Sequence, residues 1–186
     1  VSKVKNQGSE GYCWAFASVA SMESSILSQN DLKSKLGENP QDTIDLSEAG
    51  QTWYIHSGIV DKSSPFYGDY INDSSKGSNG GTSDTLAISL NSGFGTYPQS
   101  LCPYNEVKKG FSETLRYYSD YRLKDYSEIS NNKDTLKSKI VSNGAVTVHY
   151  PSITDCYSSD YANYYSDNTC IGIGDSHLIV VVGWDD

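Results

Sequence analysis

"QGSEGYCWAFASVASMESSIL" occupies Gln7 to Leu27, and the fold turns on how it is read. From Trp14 onward, Ala15, Val19, Met22 and Ile26 recur at the spacing of one helix face. Gly8 and Gly11 stand just upstream, which suits a loop turning into a helix near Tyr12. Cys13 then falls in the first turn. Buried thiols are common, so the bland reading of Cys13 is a small core hydrophobe. The sharper reading is a nucleophile, because unpaired N–H groups and the dipole at a helix start favour a thiolate. A nucleophile of that kind needs a base, and a donor for the oxyanion formed on the attacked carbonyl. Gln7 is a side-chain amide near enough in sequence to curl over the same site, with the Cys13 N–H as its companion donor.

Working outward, a second helix is expected after "IDLSEAG", capped by Ser47 with Glu48 in its first turn. "SSPFYGDYINDSSKGSNGG" reads as loop. "TSDTLAISLNSG" predicts a third helix with Leu86, Ala87 and Leu90 inward, stopping at Gly93. "NNKDTLKSKIVSNG" predicts a fourth, with Leu136 and Ile140 inward and Gly144 as terminator. Strand signals follow in "AVTVHY" (Ala145 to Tyr150) and "HLIVVVGW" (His177 to Trp184), separated by a Tyr/Ser/Asp-rich loop carrying Cys156 and Cys170. Helices early and strands late predict an α+β protein with a helical lobe and a sheet lobe.

The 186 residues suffice for one ordinary domain, or two small lobes sharing an interface. A net charge of -9 without any Lys/Arg cluster argues against nucleic acid and anionic membrane surfaces as partners. The longest clean apolar run, "LIVVVGW" from Leu178, is too short to span a bilayer. No signal peptide is visible, so an export signal or pro-segment is expected to lie outside this sequence. Four cysteines without CxxC spacing, and only three histidines, give a structural zinc site little support.

The segment "VKNQGSEGYCWAFA" resembles the active-site segment of papain-like cysteine peptidases: Gln-Gly, then Gly-X-Cys-Trp-Ala-Phe opening a long central helix. "DLSEAG", "SNGG", "SLCPYNEV", "NGAVTVHY" and "DSHLIVVVGWDD" resemble further elements of that family in the same order. The resemblance covers nearly the whole chain. It implies one two-lobed domain over residues 1–186, with a helical lobe to about residue 95. An antiparallel β lobe would occupy about 96–186, incomplete at its C-terminus. It also implies a cysteine endopeptidase acting on protein or peptide substrates, with no cofactor or metal and as a monomer. An extracellular or cell-surface location follows from the likeness to exported bacterial members.

By the same resemblance Cys13 is the nucleophile, His177 the base and Gln7 an oxyanion donor. Gly80 and Gly81 would meet the substrate backbone, where a side chain would intrude; the bland alternative for Asn79 to Gly81 is a plain turn. An interval of about 130–150 residues from Cys to His, seen in some members, selects His149 over His177. Local context overrules it, because His177 heads an apolar strand ending in Val-Gly-Trp whereas His149 lies inside the preceding strand. His149 then falls where the family shapes the pocket for the side chain two residues before the scissile bond. Strand alternation alone would also place His149 on one sheet face. Ser176 stands before His177 where many members have Asp or Asn.

The departures carry information. Glu10 and Ser78 occupy positions where the family has a disulfide pair. Tyr12 replaces a small residue before the nucleophile and is expected to narrow the cleft floor. That crowding motivates a second reading, a catalytically weak domain serving as a surface binding module; an acyltransferase on the same scaffold is a third. The orienting Asn normally follows the His by some 20 residues, and the sequence stops at Asp186, so no residue takes that role here. A chain cut from a longer protein is the expectation. Cys156 and Cys170 are candidates to pair with each other, but Cys170 also resembles a cysteine that bridges to a later region. Cys102 would then be free.

Overall fold

The computed structural model describes residues 1–56, 58–59, 61–65, 67–68, 80–91, 94–153, 156–158, 163–164 and 174–185. The helices, in chain order, are α1 (Cys13–Ser28), α2 (Asn30–Lys33), α3 (Pro40–Thr43), α4 (Glu48–Ile55), α5 (Ser83–Asn91) and α6 (Lys133–Asn143). The strands are β1 (Val146–Ser152), β2 (Tyr157–Ser158), β3 (Asn163–Tyr164) and β4 (Asp175–Val181). The molecule is α+β, helices first and strands last.

Local chemistry explains the helix ends. Ser47 accepts a hydrogen bond from the Gly50 N–H at 2.8 Å and so caps α4. Asn132 does the same for α6, accepting from the N–H groups of Asp134 and Thr135. Gly144 stops α6 at φ 95°, a conformation that favours glycine. The predicted stop of α5 at Gly93 lies outside the described residues. α1 begins at Cys13 itself, with Tyr12 at the N-cap position and no side-chain cap.

Three apolar clusters organise the interior. Tyr12, Trp14 and Ala15 meet Ala49 and Ile55 of α4, Leu86 and Leu90 of α5, and Val107. Val19 and Ile26, on the same face of α1, pack on Ile44 and Leu46. Tyr54 of α4 meets Tyr97 and Cys102. Residues 96–123, expected to begin the sheet lobe, pack on the helices and contain no strand. Leu86, Ala87 and Leu90 are buried as expected, whereas Leu136 and Ile140 of α6 reach only half-burial.

Two buried ionic groups pin irregular backbone to this interior. Lys5 Nζ donates to Glu23 at 2.9 Å, Glu48 at 3.0 Å and the Leu46 carbonyl at 2.6 Å, and lies 2.9 Å from Asp45. One ammonium faces two buried carboxylates there, and burial pushes Glu48 up to about 7. Lys5 is held charged, its tendency to lose the proton on burial outweighed by those carboxylates. Arg116, also buried, forks onto Glu113 and donates to the carbonyls of Tyr54 and Gly58.

β1 and β4 pair antiparallel, from Val146 opposite Val181 to Ser152 opposite Asp175. Both strands sit slightly earlier or later than their apolar runs predict. β2 and β3 form a second, very short antiparallel pair. The long pair rests on α1: Ser21 donates to the Ala145 carbonyl, the Ala145 N–H donates to Ser24, and Thr147 donates to the Ala17 carbonyl. Among the described residues no helix is long and apolar enough to cross a membrane.

Candidate active site

Cys13 is the first residue of α1 and is half-buried, its thiol unpaired with any other cysteine. The two residues that follow, Trp14 and Ala15, turn wholly into the core. The reason is helical: Cys13 points off the face that Ala15, Val19 and Ile26 bury. Among the described residues its backbone N–H makes no hydrogen bond, as the start of a helix leaves it. Tyr12 is also fully buried, its ring edge-on to Tyr104 at 6.3 Å between centroids. The expected narrowing of the cleft floor by Tyr12 is therefore not found, because the ring fills core space rather than the groove.

The loop before Cys13 is tied down at several points. Gln7 Nε2 donates to the Glu10 carbonyl at 2.9 Å, its second N–H unused among the described residues. The Glu10 carboxylate takes a 2.6 Å hydrogen bond from Lys108. Where the family resemblance places a disulfide cysteine, this chain thus carries an ion pair; Ser78 lies outside the described residues. The Gly80 N–H donates to the Gly11 carbonyl at 3.1 Å, setting Gly80 and Gly81 beside the helix start. Asn79 lies outside the described residues. A Cβ on Gly81 would stand 2.5 Å from the Trp14 indole, so packing alone demands glycine there. Gly80 has open space but a φ of 113°.

His177 lies on β4, half-buried, its ring 5.6 Å from that of its cross-strand partner Tyr150. α1 and β4 pack directly against each other, so the elements bearing Cys13 and His177 are neighbours. No hydrogen bond joins Cys13 to His177 among the described residues. The third histidine, His56, is buried edge-on against Trp14, and burial lowers its proton affinity.

Strand alternation puts His149, Ser176 and Leu178 on the face of the β1–β4 pair opposite His177. His149 Nε2 and Ser176 Oγ are hydrogen-bonded. His149 and Leu178 line a cavity of about 640 Å³ whose other walls come from α1, α5 and the chain around Tyr126. Asp84, Asp125 and Glu128 line it against a single cation, Lys139. The Tyr126 hydroxyl donates to Asp84 and is pushed up to about 12, mainly by burial and by Asp84.

The candidate residues thus fall into two groups: Gln7, Cys13, Gly80 and Gly81 around the head of α1, and His149 and Ser176 beside the cavity. His177 sits on the strand between them. Tyr104 and Lys108, which hold the Gln7–Glu10 loop, were not singled out from sequence. The segment "SLCPYNEV" was matched as a unit, and a hydroxyl reaching a carbonyl 97 positions earlier leaves no local signal. Cys102 is a free, fully buried thiol pushed up to about 11 by burial, a state suited to packing rather than reaction. Cys156 is disulfide-bonded, and Cys170 lies outside the described residues.

A family model described as papain family cysteine protease matches residues 1–186. Among solved structures, the chain is similar to the cysteine protease and lectin-like domains of Cwp84, a surface layer associated protein of Clostridium difficile. That match has a TM-score of 0.74 and 22% identity, and covers 100% of this chain and 37% of that one. A clostridial Cwp84 structure after propeptide cleavage matches at the same TM-score and identity, covering 100% and 41%. The chain spans about two fifths of the length of these solved chains. At that identity the likeness establishes the fold.

Proposed function

The chain belongs to the papain family of cysteine proteases, and from that premise we propose that it is an endopeptidase working through Cys13, His177 and Gln7. The Cys13 thiolate attacks the peptide carbonyl carbon, and the π electrons move onto oxygen. The Cys13 N–H and the free N–H of Gln7 receive that oxyanion. His177, as imidazolium, passes its proton to the leaving nitrogen as the C–N bond breaks, leaving a thioester. Water then attacks with His177 taking its proton, and the acid product departs.

The observation that carries this reading is the state of Cys13: at the head of α1, half-exposed, its N–H without a partner among the described residues. Gly80 and Gly81 would pair with the substrate backbone. The cavity beside His149 and Ser176 would take the side chain two residues before the scissile bond. Its lining of three carboxylates and one lysine favours a basic side chain there. Action on proteins outside the cell is supported by the surface-layer association of the similar clostridial protease.

The test uses the full-length protein and a thiol-directed epoxide probe. Labelling and peptide hydrolysis that both vanish in Cys13→Ala support the endopeptidase. A folded protein that is never labelled would instead be a surface binding module. Transfer of the acyl group to an added amine in preference to water would mark an acyltransferase. Peptides differing only in lysine or glutamate at the second position before the cleaved bond test the pocket, with lysine expected to give the higher kcat/KM.

A further inference from the structure

An amide that is to stabilise an oxyanion must be held where the charge will form, because movement during reaction forfeits most of the gain. Gln7 is a flexible side chain on an irregular loop, and Gly8 after it adopts a φ of 65°. Its own side chain is anchored inside the loop, on the Glu10 carbonyl. That bond fixes the amide relative to the loop, not relative to the nucleophile. The link to the nucleophile comes from elsewhere in the chain.

The Tyr104 hydroxyl donates to the Gln7 main-chain carbonyl at 2.7 Å. The same ring lies edge-on to Phe16 at 4.9 Å and edge-on to Tyr12 at 6.3 Å between centroids. Tyr12 immediately precedes Cys13, and Phe16 lies one turn further along α1. One stiff side chain with two torsions therefore touches both the donor's backbone and the helix start that carries the sulfur. Pro103 sets the entry to the short 3₁₀ turn Tyr104–Glu106 that presents it. Lys108, on the same segment, grips the other end of the loop through Glu10.

We propose that Tyr104 is a positioning residue of the oxyanion site, holding Gln7 in register with Cys13. The proposal rests on the endopeptidase reading above. Burial first, and then the neighbouring Tyr12 and Glu10, push the phenol up to about 12, so it remains a donor throughout the working pH range. Lys108 is the lesser clamp, because its exposed ion pair is screened by solvent.

The experiment compares full-length wild type, Tyr104→Phe, Gln7→Ala and the double variant. Phenylalanine keeps the ring that packs and removes only the hydroxyl. On a peptide amide substrate, Tyr104→Phe is expected to lower kcat about threefold to tenfold, the worth of one hydrogen bond, with KM unchanged. Gln7→Ala is expected to lower kcat about 10²-fold or more, as loss of an oxyanion donor does. In the Gln7→Ala background the further effect of Tyr104→Phe should disappear. Alkylation of Cys13 by iodoacetamide, which forms no oxyanion, should proceed at the wild-type rate in all three variants.

An unchanged kcat in Tyr104→Phe overturns the proposal. So does an equal loss in both backgrounds, or a parallel fall in alkylation, either of which would make the residue merely structural. A Tyr104→Phe protein that does not fold overturns it for the same reason. Wild type that neither hydrolyses peptides nor is alkylated at Cys13 would instead sink the endopeptidase reading itself.

Discussion

Around Cys13 the helix start is enclosed: Tyr12, Trp14 and Ala15 are fully buried, and Gly81 lies close against the Trp14 indole. The strand pair bearing His177 is built the other way. No residue of β1 or β4 is fully buried, and Ile179, Val182 and Trp184 are exposed. The position of Cys13 follows from the core beside it. The proposed base rides on a ribbon tied to α1 by hydrogen bonds that the Ala17 carbonyl and Ser24 accept and Ser21 donates. The helix that carries the sulfur therefore also carries the reference for the imidazole, so the alignment of the two rests on α1.

The strongest way to break this comparison is Lys5→Met. It leaves Glu23 and Glu48 buried without their cation, a change expected to cost about 3–5 kcal/mol in urea denaturation. Ile179→Ala, on the exposed ribbon, should cost less than about 1 kcal/mol, since little burial is lost. Equal costs would mean that the two regions do not differ as described. A smaller contrast comes from glycine. Gly81→Ala forces a methyl into the Trp14 ring and should lose about 1–3 kcal/mol. Gly183→Ala, where a Cβ meets nothing within 4 Å, should stay within about 0.5 kcal/mol of wild type.

The junction between the regions sharpens the picture further. Ser24→Ala removes the acceptor of the buried Ala145 N–H and should cost about 1–2 kcal/mol. Amide exchange in β1 and β4 should then quicken about tenfold for each 1.4 kcal/mol lost, with α4 protected as before. Uniform acceleration across both regions would show that the ribbon is not separately anchored.

How far these features could be read in the sequence follows the same division. α1, the Ser47 cap and the inward Leu86, Ala87 and Leu90 are local events, and periodicity or capping chemistry reports them. The glycines and periodicity around Cys13 placed that residue in the first turn of a helix, and α1 begins there. Lys5 escaped notice, because a lysine in "VSKVKNQG" reads as solvated loop until Glu23 and Glu48 converge on it. Tyr12 misled, since the bulk expected in the cleft is turned into the core by Tyr104 and Trp14's neighbours. Strands β2 and β3, two residues each, are too short to carry a period. Glu10 announced a missing disulfide, but its partner Lys108 lies 98 positions away and has no pattern to betray it. What escaped was tertiary in origin, side chains meeting across long sequence separations.

The finest test is a pH slope, and its sign distinguishes the buried charge cluster from an ordinary salt bridge. Glu48 faces Lys5 and Glu23, with Asp45 beside them, and burial raises it from an ordinary value of 4.5 to about 7. A group raised on folding contributes stability that is fully present below pH 4.5 and is lost as pH climbs through 7. A carboxylate whose affinity for protons is lowered by pairing would do the reverse, gaining stability over that climb. The slope is bounded by one proton, at most about 1.4 kcal/mol per pH unit. It is best read as the difference between wild type and Glu48→Gln, which cancels the other carboxylates. That difference should move against wild type between pH 4.5 and 7. A rise across this window would mean that Lys5 fully neutralises Glu48, and the helical region would then be held by a simple ion pair rather than by a cluster one cation short.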